Sequence, residues 1–376
     1  MVKSQYGTKQ AGCIWEQHLC KGLLKMGFKA STADECVYFC NGLILACYVD
    51  NCWILQKQVN LFFDELSKEF DIIDEGELND FLGINVMRRE DGTVELTQPK
   101  LIEQILNNLN IQPNTKMKPT PARAGHVLRK DELAESHKAD WQYRSTIGKM
   151  GYLEKSTCPE IANAVHQCAR YSADPKVTHT EAVIHIARYL AGTRDKGIIM
   201  IPNGSSFEVY ADADFCGLWD KETAIDDAST AKSRTGYIIK YANCPIVWSS
   251  KLQTETALST TEDEYISLSS ALRECIPLIT LLAEINDNTT ITTNNLPVMR
   301  CTAFEDNAGA LELAKLPKMR PRTKHINVKY HHFRKWVSKG LIQVMQVPTE
   351  EQQANILTKN LPGPLFEKLR KLISGW

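Results

Sequence analysis

The sequence predicts an α/β fold, with a mixed five-stranded sheet and flanking helices in its last part, on three observations. Between residues 141 and 189 the apolar positions recur at helical spacing, interrupted at Cys158-Pro159 and Asp174-Pro175. After Asn203-Gly204 the period drops to two. Phe207, Val209, Ala211, Ala213 and Phe215 fall on one face of a strand, with Glu208, Tyr210, Asp212 and Asp214 on the other. Further on, strand-like and helix-like runs follow in the order three strands, helix, strand, helices, strand, helix, the pattern of a mixed α/β domain.

In chain order, residues 43–56 read as two short strands around an Asp50-Asn51 turn, because Asp and Asn tolerate turn geometry. Leu61, Phe62, Leu66 and Phe70 then recur at helical spacing. Residues 81–87 and 93–97 flank Asp91-Gly92, a hairpin signal, and 101–109 is a short amphipathic helix. Pro113, Pro119 and Pro121 mark a linker or surface loop. In the last part, 236–241 and 246–250 are strands. Ser259 and Glu262 form a capping box that opens a helix with the apolar stripe Tyr265, Leu268, Leu272, Cys275, Ile279 and Leu282. Pro277 should kink or split that helix, since it lacks the N–H of the ladder. Residues 298–304 are a fourth strand, 308–314 a helix, 325–339 helical, 341–347 a fifth strand and 350–359 a last helix. The expected division is 1–115, a mostly helical connection at 116–203, and an α/β domain at 204–376.

An apolar fraction of 43% and a charged fraction of 24% exclude a disordered chain. The start, Met1-Val-Lys-Ser-Gln-Tyr6, has no apolar core of a secretory signal, and no membrane span is expected, so the expected compartment is cytoplasm or nucleus. Twelve cysteines without a Cys-x-x-Cys pair argue against a zinc site or a disulfide framework. Net charge is −1, yet no acid occurs between Leu313 and Thr349, where Lys and Arg interleave with Tyr330, Phe333 and Trp336. That composition suits either a polyanion-binding surface or a solvated helix face.

Acids punctuate the α/β part at four places: Tyr210-Ala-Asp212-Ala-Asp214, Glu262-Asp263-Glu264-Tyr265, Phe304-Glu305-Asp306-Asn307, and Gln352-Gln-Ala-Asn355-Ile-Leu-Thr-Lys359, where an amide stands. Taken alone, each acid is an ordinary structural or solvated residue. Asp212 and Asp214 share a strand face, and periodicity does not choose between them. Glu264 lies at the edge of its helix's buried stripe, while Glu262 is better used in the cap. Asp306 follows a strand and precedes a helix, a usual place for a ligand-binding residue in an α/β sheet.

These segments, with Tyr6-Gly-Thr-Lys9-Gln10, Tyr48-Val-Asp50-Asn51, Phe81-Leu-Gly83-Ile, Tyr143-Arg144-Ser-Thr-Ile-Gly148 and His185-Ile-Ala-Arg188-Tyr189, resemble the C-terminal part of a copia-type retrotransposon Pol polyprotein. The resemblance implies a truncated reverse transcriptase (an α+β palm remnant) followed by a ribonuclease H-like domain. It implies two magnesium ions held by Asp212, Glu264 and Asp306, hydrolysing RNA in RNA–DNA hybrids. It selects Asp212 over Asp214, and it places Asn355 where the family pattern has Asp, so cleavage is expected to be impaired. The polymerase motif keeps Asp50 but has Asn51 beside it, and only five residues precede Tyr6. No polymerase activity is therefore expected from this chain alone, and Asp50 and Asn51 are vestigial. The basic segment containing Arg322, Lys324, His325, Lys329 and Arg334 matches the family too and implies phosphate contacts with nucleic acid. The alternative is a non-catalytic nucleic-acid-binding relic. No membrane partner is implied; an oligomer or an upstream Pol segment is left open.

Overall fold

A computed structural model describes residues 8, 10–49, 51–55, 60–112, 114–130, 134–221, 227–288, 300–315, 326 and 328–376. The chain divides into two compact units, Met1–Glu77 with Glu274–Met299, and Leu78–Arg273 with Arg300–Trp376. In the first, α1 (Ala11–Lys25) precedes an antiparallel sheet in sequence order, β1 (Lys29–Ala30), β2 (Val37–Cys40), β3 (Leu43–Tyr48) and β4 (Asn51–Leu55), followed by α2 (Asn60–Glu69). Leu19 and Leu23 of α1 pack with Phe28, Tyr38, Leu45, Leu66 and Phe70. The predicted hairpin is present: Tyr48 pairs with Asn51, and Cys47 faces Cys52 with their sulfurs 3.1 Å apart. Asp50 lies outside the described residues. The elements α1, β1 and β2 were not foreseen.

The second unit begins with β5 (Asp80–Phe81), β6 (Ile84–Arg88) and β7 (Val94–Thr97), with Asp91-Gly92 turning the hairpin as expected; Gly92 takes a φ of 86°, open to glycine at no steric cost. Four helices follow: α3 (Pro99–Asn108), α4 (Tyr143–Ser156), α5 (Ala162–Ala169) and α6 (Val177–Gly192). Their breaks fall at Pro159 and Pro175, because a proline cannot donate to the preceding turn. Ile102, Met150, Leu153, Ile161, Ile186 and Leu190 fill the core between them. A short β8 (Ile198–Met200) then returns to pair with β7.

The five-stranded sheet follows. It contains β9 (Phe207–Asp214), β10 (Arg234–Tyr241) and β11 (Cys244–Leu252), then α7 (Thr260–Asn288), β12 (Cys301–Glu305), α8 (Ala308–Lys315), α9 (Arg334–Ser338), β13 (Ile342–Gln346), α10 (Asn355–Thr358) and α11 (Gly363–Ser374). The strand order is β11-β10-β9-β12-β13, antiparallel over the first three and parallel over the last. This is the ribonuclease H-like α/β arrangement that the sequence predicts.

Several details differ from the sequence reading. β9 is central, so both of its faces are covered: Tyr210 and Asp212 are buried as Val209 and Ala211 are. A clean alternation describes a half-exposed strand, and this one merely borrows the pattern. α7 runs unbroken through Pro277. It is also long and apolar enough to match a membrane span by length and composition, although Tyr265, Leu268 and Leu272 are buried in the protein. The cap is shifted by one residue: Ser259 Oγ accepts from Glu262 N–H, and the Glu262 carboxylate accepts from Leu258 N–H. The 325–339 stretch is a 3₁₀ turn, Val328–His331, plus the short α9. Only the four-residue α10 follows the turn Thr349–Glu351, and the longer α11, with Phe366, Leu369 and Ile373 inward, was not foreseen.

One glycine lets α10 reach the sheet. A Cβ on Gly236 of β10 would lie 2.6 Å from Thr358 Cγ2, 2.9 Å from Leu357 Cβ and 3.1 Å from the Ala354 carbonyl oxygen. Gly236→Ala should therefore destabilise the fold by about 1–3 kcal/mol and displace α10. A urea midpoint equal to wild type would show that this approach is not tight.

Candidate metal centre

The register of the sheet builds the site. Phe304 of β12 pairs in parallel with Tyr210 of β9, so two residues further on Asp306 comes level with Asp212 at the same sheet edge. The first turn of α7 supplies Glu264, whose carboxylate accepts the Ala213 N–H at 2.7 Å. Ser267, one turn later, donates to the Asp212 carbonyl at 2.7 Å and fixes the helix on the strand. Ligand oxygens of Asp212, Glu264 and Asp306 lie within 4.8 Å of one another. Asp212 and Glu264 are buried and Asp306 is half-buried. Gln352 closes the back of the site by donating to both the Ala211 and Phe304 carbonyls, at 2.9 and 3.3 Å, which ties β9 to β12 just below the acids.

Asn355 is buried beside this group, not in it. Its Nδ2 donates to the Thr349 carbonyl at 2.8 Å, which turns Oδ1 toward Lys359 Nζ at 2.9 Å. The same Nζ donates to Asp212 Oδ1 at 3.2 Å, while the Thr358 hydroxyl donates to Asp212 Oδ2. Lys359 and Thr358 were not singled out from the sequence. A signal existed for Lys359, four residues after Asn355 and hence one helical turn away. Two further acids, Asp263 and Glu305, are fully buried at the site's margin; Asp263 Oδ2 and Glu305 Oε2 have no hydrogen-bond partner among the described residues. Asp214 is also close, with its carboxyl raised by burial and lowered by Lys359 and Arg234.

Burial without enough positive charge sets the electrostatics. The Asp212 carboxyl is pushed up to about 6, chiefly by burial, against the pull of Lys359 and Thr358. Asp263 is pushed up to about 7, again chiefly by burial. Glu264 and Glu305 lie well above the usual carboxylate range, burial leading in both and the Asp212 carboxylate adding to Glu264. For Lys359, burial opposes the charge, and the carboxylates of Asp212, Glu264 and Asp214 together outweigh it, so the ammonium is held above its ordinary value. The all-oxygen donor set of Asp212, Glu264 and Asp306 fits a hard divalent cation.

The basic segment is only partly described: Arg322, Lys324 and His325 lie outside the described residues. Lys329 pairs with Glu255 at 2.5 Å, and Arg334 donates to the Leu313 carbonyl at 2.8 Å, at the end of α8. His331 shares a 2.7 Å hydrogen bond with the Tyr265 hydroxyl. Asn51 pairs in the β3–β4 hairpin of the other unit.

Comparison with known proteins places these features. The family model for reverse transcriptase (RNA-dependent DNA polymerase) matches residues 1–123. The chain is similar to the retrovirus-related Pol polyprotein from transposon TNT 1-94 of Nicotiana tabacum, with 33% identity across 99% of this chain and 28% of that protein. It is equally similar to the Pol polyprotein from transposon RE1 of Arabidopsis thaliana, with 33% identity across 99% of this chain and 24% of that protein. The chain thus spans about a quarter of the length of these curated relatives. Among solved structures, an N-terminal ribonuclease H domain from Mycobacterium tuberculosis, fused to maltose binding protein, overlaps 45% of this chain and 98% of its own at 12% identity and a TM-score of 0.27. The fold class rests on the strand order, not on that overlap.

The raised carboxyl groups have a sign that stability measurements can read. Asp212 and Asp263, at about 6 and 7, keep protons in the folded state that the unfolded chain releases near its ordinary carboxylate value of 3.8. The folded state then binds more protons between about pH 4 and pH 7, so stability falls as pH rises through that window. Without divalent ions the unfolding free energy from urea titration should be lower at about pH 8 than at about pH 5, by the order of a few kcal/mol. Added magnesium should recover the loss at the higher pH. A midpoint that rises with pH under chelation would contradict the charge crowding.

Proposed function

We propose that the chain is part of a copia-type retrotransposon Pol polyprotein and that its acidic cluster is a magnesium site for hydrolysing RNA in RNA–DNA hybrids, weakened at Asn355. The observation that carries the reading is the convergence of Asp212, Glu264 and Asp306 oxygens within 4.8 Å from three separate elements. Bound there, divalent ions would activate a water and stabilise the leaving 3′ oxygen. The protein's own part is to hold the three carboxylates in place. Asp212 is fixed by Thr358 and Lys359, Glu264 by the Ala213 N–H, and the β9–β12 pair by Gln352. Asn355 contributes an oxygen without charge, and that oxygen is already engaged with Lys359. Magnesium favours carboxylate oxygen, so a ligand place is weakened here. Of the polymerase motif, Asn51 supplies no charge where the family has a second Asp.

A second reading, a non-catalytic nucleic-acid binder, is favoured by the same Asn355. Its amide is satisfied on both ends by protein groups, as a structural residue's would be. Phosphate contacts from the basic segment would then hold the nucleic acid, with affinity falling steeply as salt rises.

Wild type, Asn355→Asp and Asp212→Asn should be compared on a labelled RNA–DNA hybrid with magnesium. Asn355→Asp is expected to cleave about ten to a hundred times faster than wild type, and Asp212→Asn not at all. Equal cleavage by wild type and Asn355→Asp would remove Asn355 as the limit. Persistent cleavage by Asp212→Asn would remove the site assignment. Salt-sensitive binding with no cleavage by any of the three supports the second reading.

A further inference from the structure

The Lys359 ammonium lies between Asp212 and Asn355. Its Nζ lies 3.2 Å from Asp212 Oδ1 and 2.9 Å from Asn355 Oδ1. Any ion bridging Asp212 to the fourth position would have to bond those same two side chains. An ammonium and a divalent ion cannot both sit there, because they would share one volume and repel at contact distance. The amide of Asn355 favours the ammonium: its Nδ2 is held by the Thr349 carbonyl, so its neutral Oδ1 points at Nζ.

We propose that Lys359 is the resident substitute for one of the two metal ions, so that this chain's acidic cluster takes a single divalent cation, held toward Glu264 and Asp306. The inference rests on the metal-centre reading above and goes beyond it by assigning stoichiometry to a side chain. Lys359 is here a positioning and selectivity residue, and it sets how many ions the carboxylates can accept.

Manganese, counted on the full chain by electron paramagnetic resonance under equilibrium dialysis, tests this without any reaction. Wild type should bind one ion per chain. The double variant Lys359→Met with Asn355→Asp should bind two. Lys359→Met alone should bind its first ion about tenfold tighter than wild type, because the competing charge is gone. Lys359→Gln, which keeps a polar end for Asp212 and Asn355, should behave the same way and serves if the methionine variant fails to fold. Two ions in wild type, or one in the double variant, overturns the inference and leaves the metal-centre reading standing. No manganese bound by any of these proteins overturns both.

Discussion

Carboxylates gathered where water is scarce repel one another, and that repulsion organises the whole ribonuclease H-like unit. Two unit charges about 4 Å apart interact by about 1 kcal/mol in water and about 4 kcal/mol near a protein surface. The parallel pairing of β9 and β12 puts Asp212 and Asp306 at one sheet edge, and the opening turn of α7 adds Glu264. Asp263 and Glu305 are buried close by. The protein answers with directed donors: the Ala213 N–H, the Thr358 hydroxyl, the Asn307 N–H on Glu305 and the Lys359 ammonium. Even the bare Gly236 belongs to this answer, since it lets α10 bring two of those donors down onto the sheet.

Much of this was legible in the sequence. The order of elements was readable from periodicity, whereas the choice of Asp212 over Asp214 came from the resemblance to Pol polyproteins; the oxygens of Asp212, Glu264 and Asp306 do lie within 4.8 Å of one another. Both prolines at helix breaks, Pro159 and Pro175, and the Asp91-Gly92 turn acted as local chemistry requires. What escaped depended on partners far away in the chain. The alternation of residues 207–215 looked like a strand with a wet face, yet tertiary neighbours cover both faces. Lys359 and Asp212 are 147 positions apart, and no periodicity announces an ion pair at that separation. The last helix, α11, carries its own apolar stripe in Phe366, Leu369 and Ile373, a periodic signal that lies past the last of the four acidic segments.

Relation to the Pol polyproteins and the local geometry bear on different questions. Identity near one third across nearly the whole chain makes it similar to parts of those proteins. It does not say which of their chemistries survives in a chain that spans about a quarter of their length. Individual atoms speak to the geometry alone: oxygens of three acids lie within 4.8 Å of one another, while Asn355 is part of the hydrogen-bonded framework beside them.

The bond from Asn355 Nδ2 to the Thr349 carbonyl reaches beyond enzymology. An aspartate has no hydrogen to give, so a back-mutation would strip that carbonyl of its donor and set an extra anion beside it. The amide is therefore a fastener between the Thr349 turn and α10, and a carboxylate in its place would loosen that join whatever it did at the neighbouring acids.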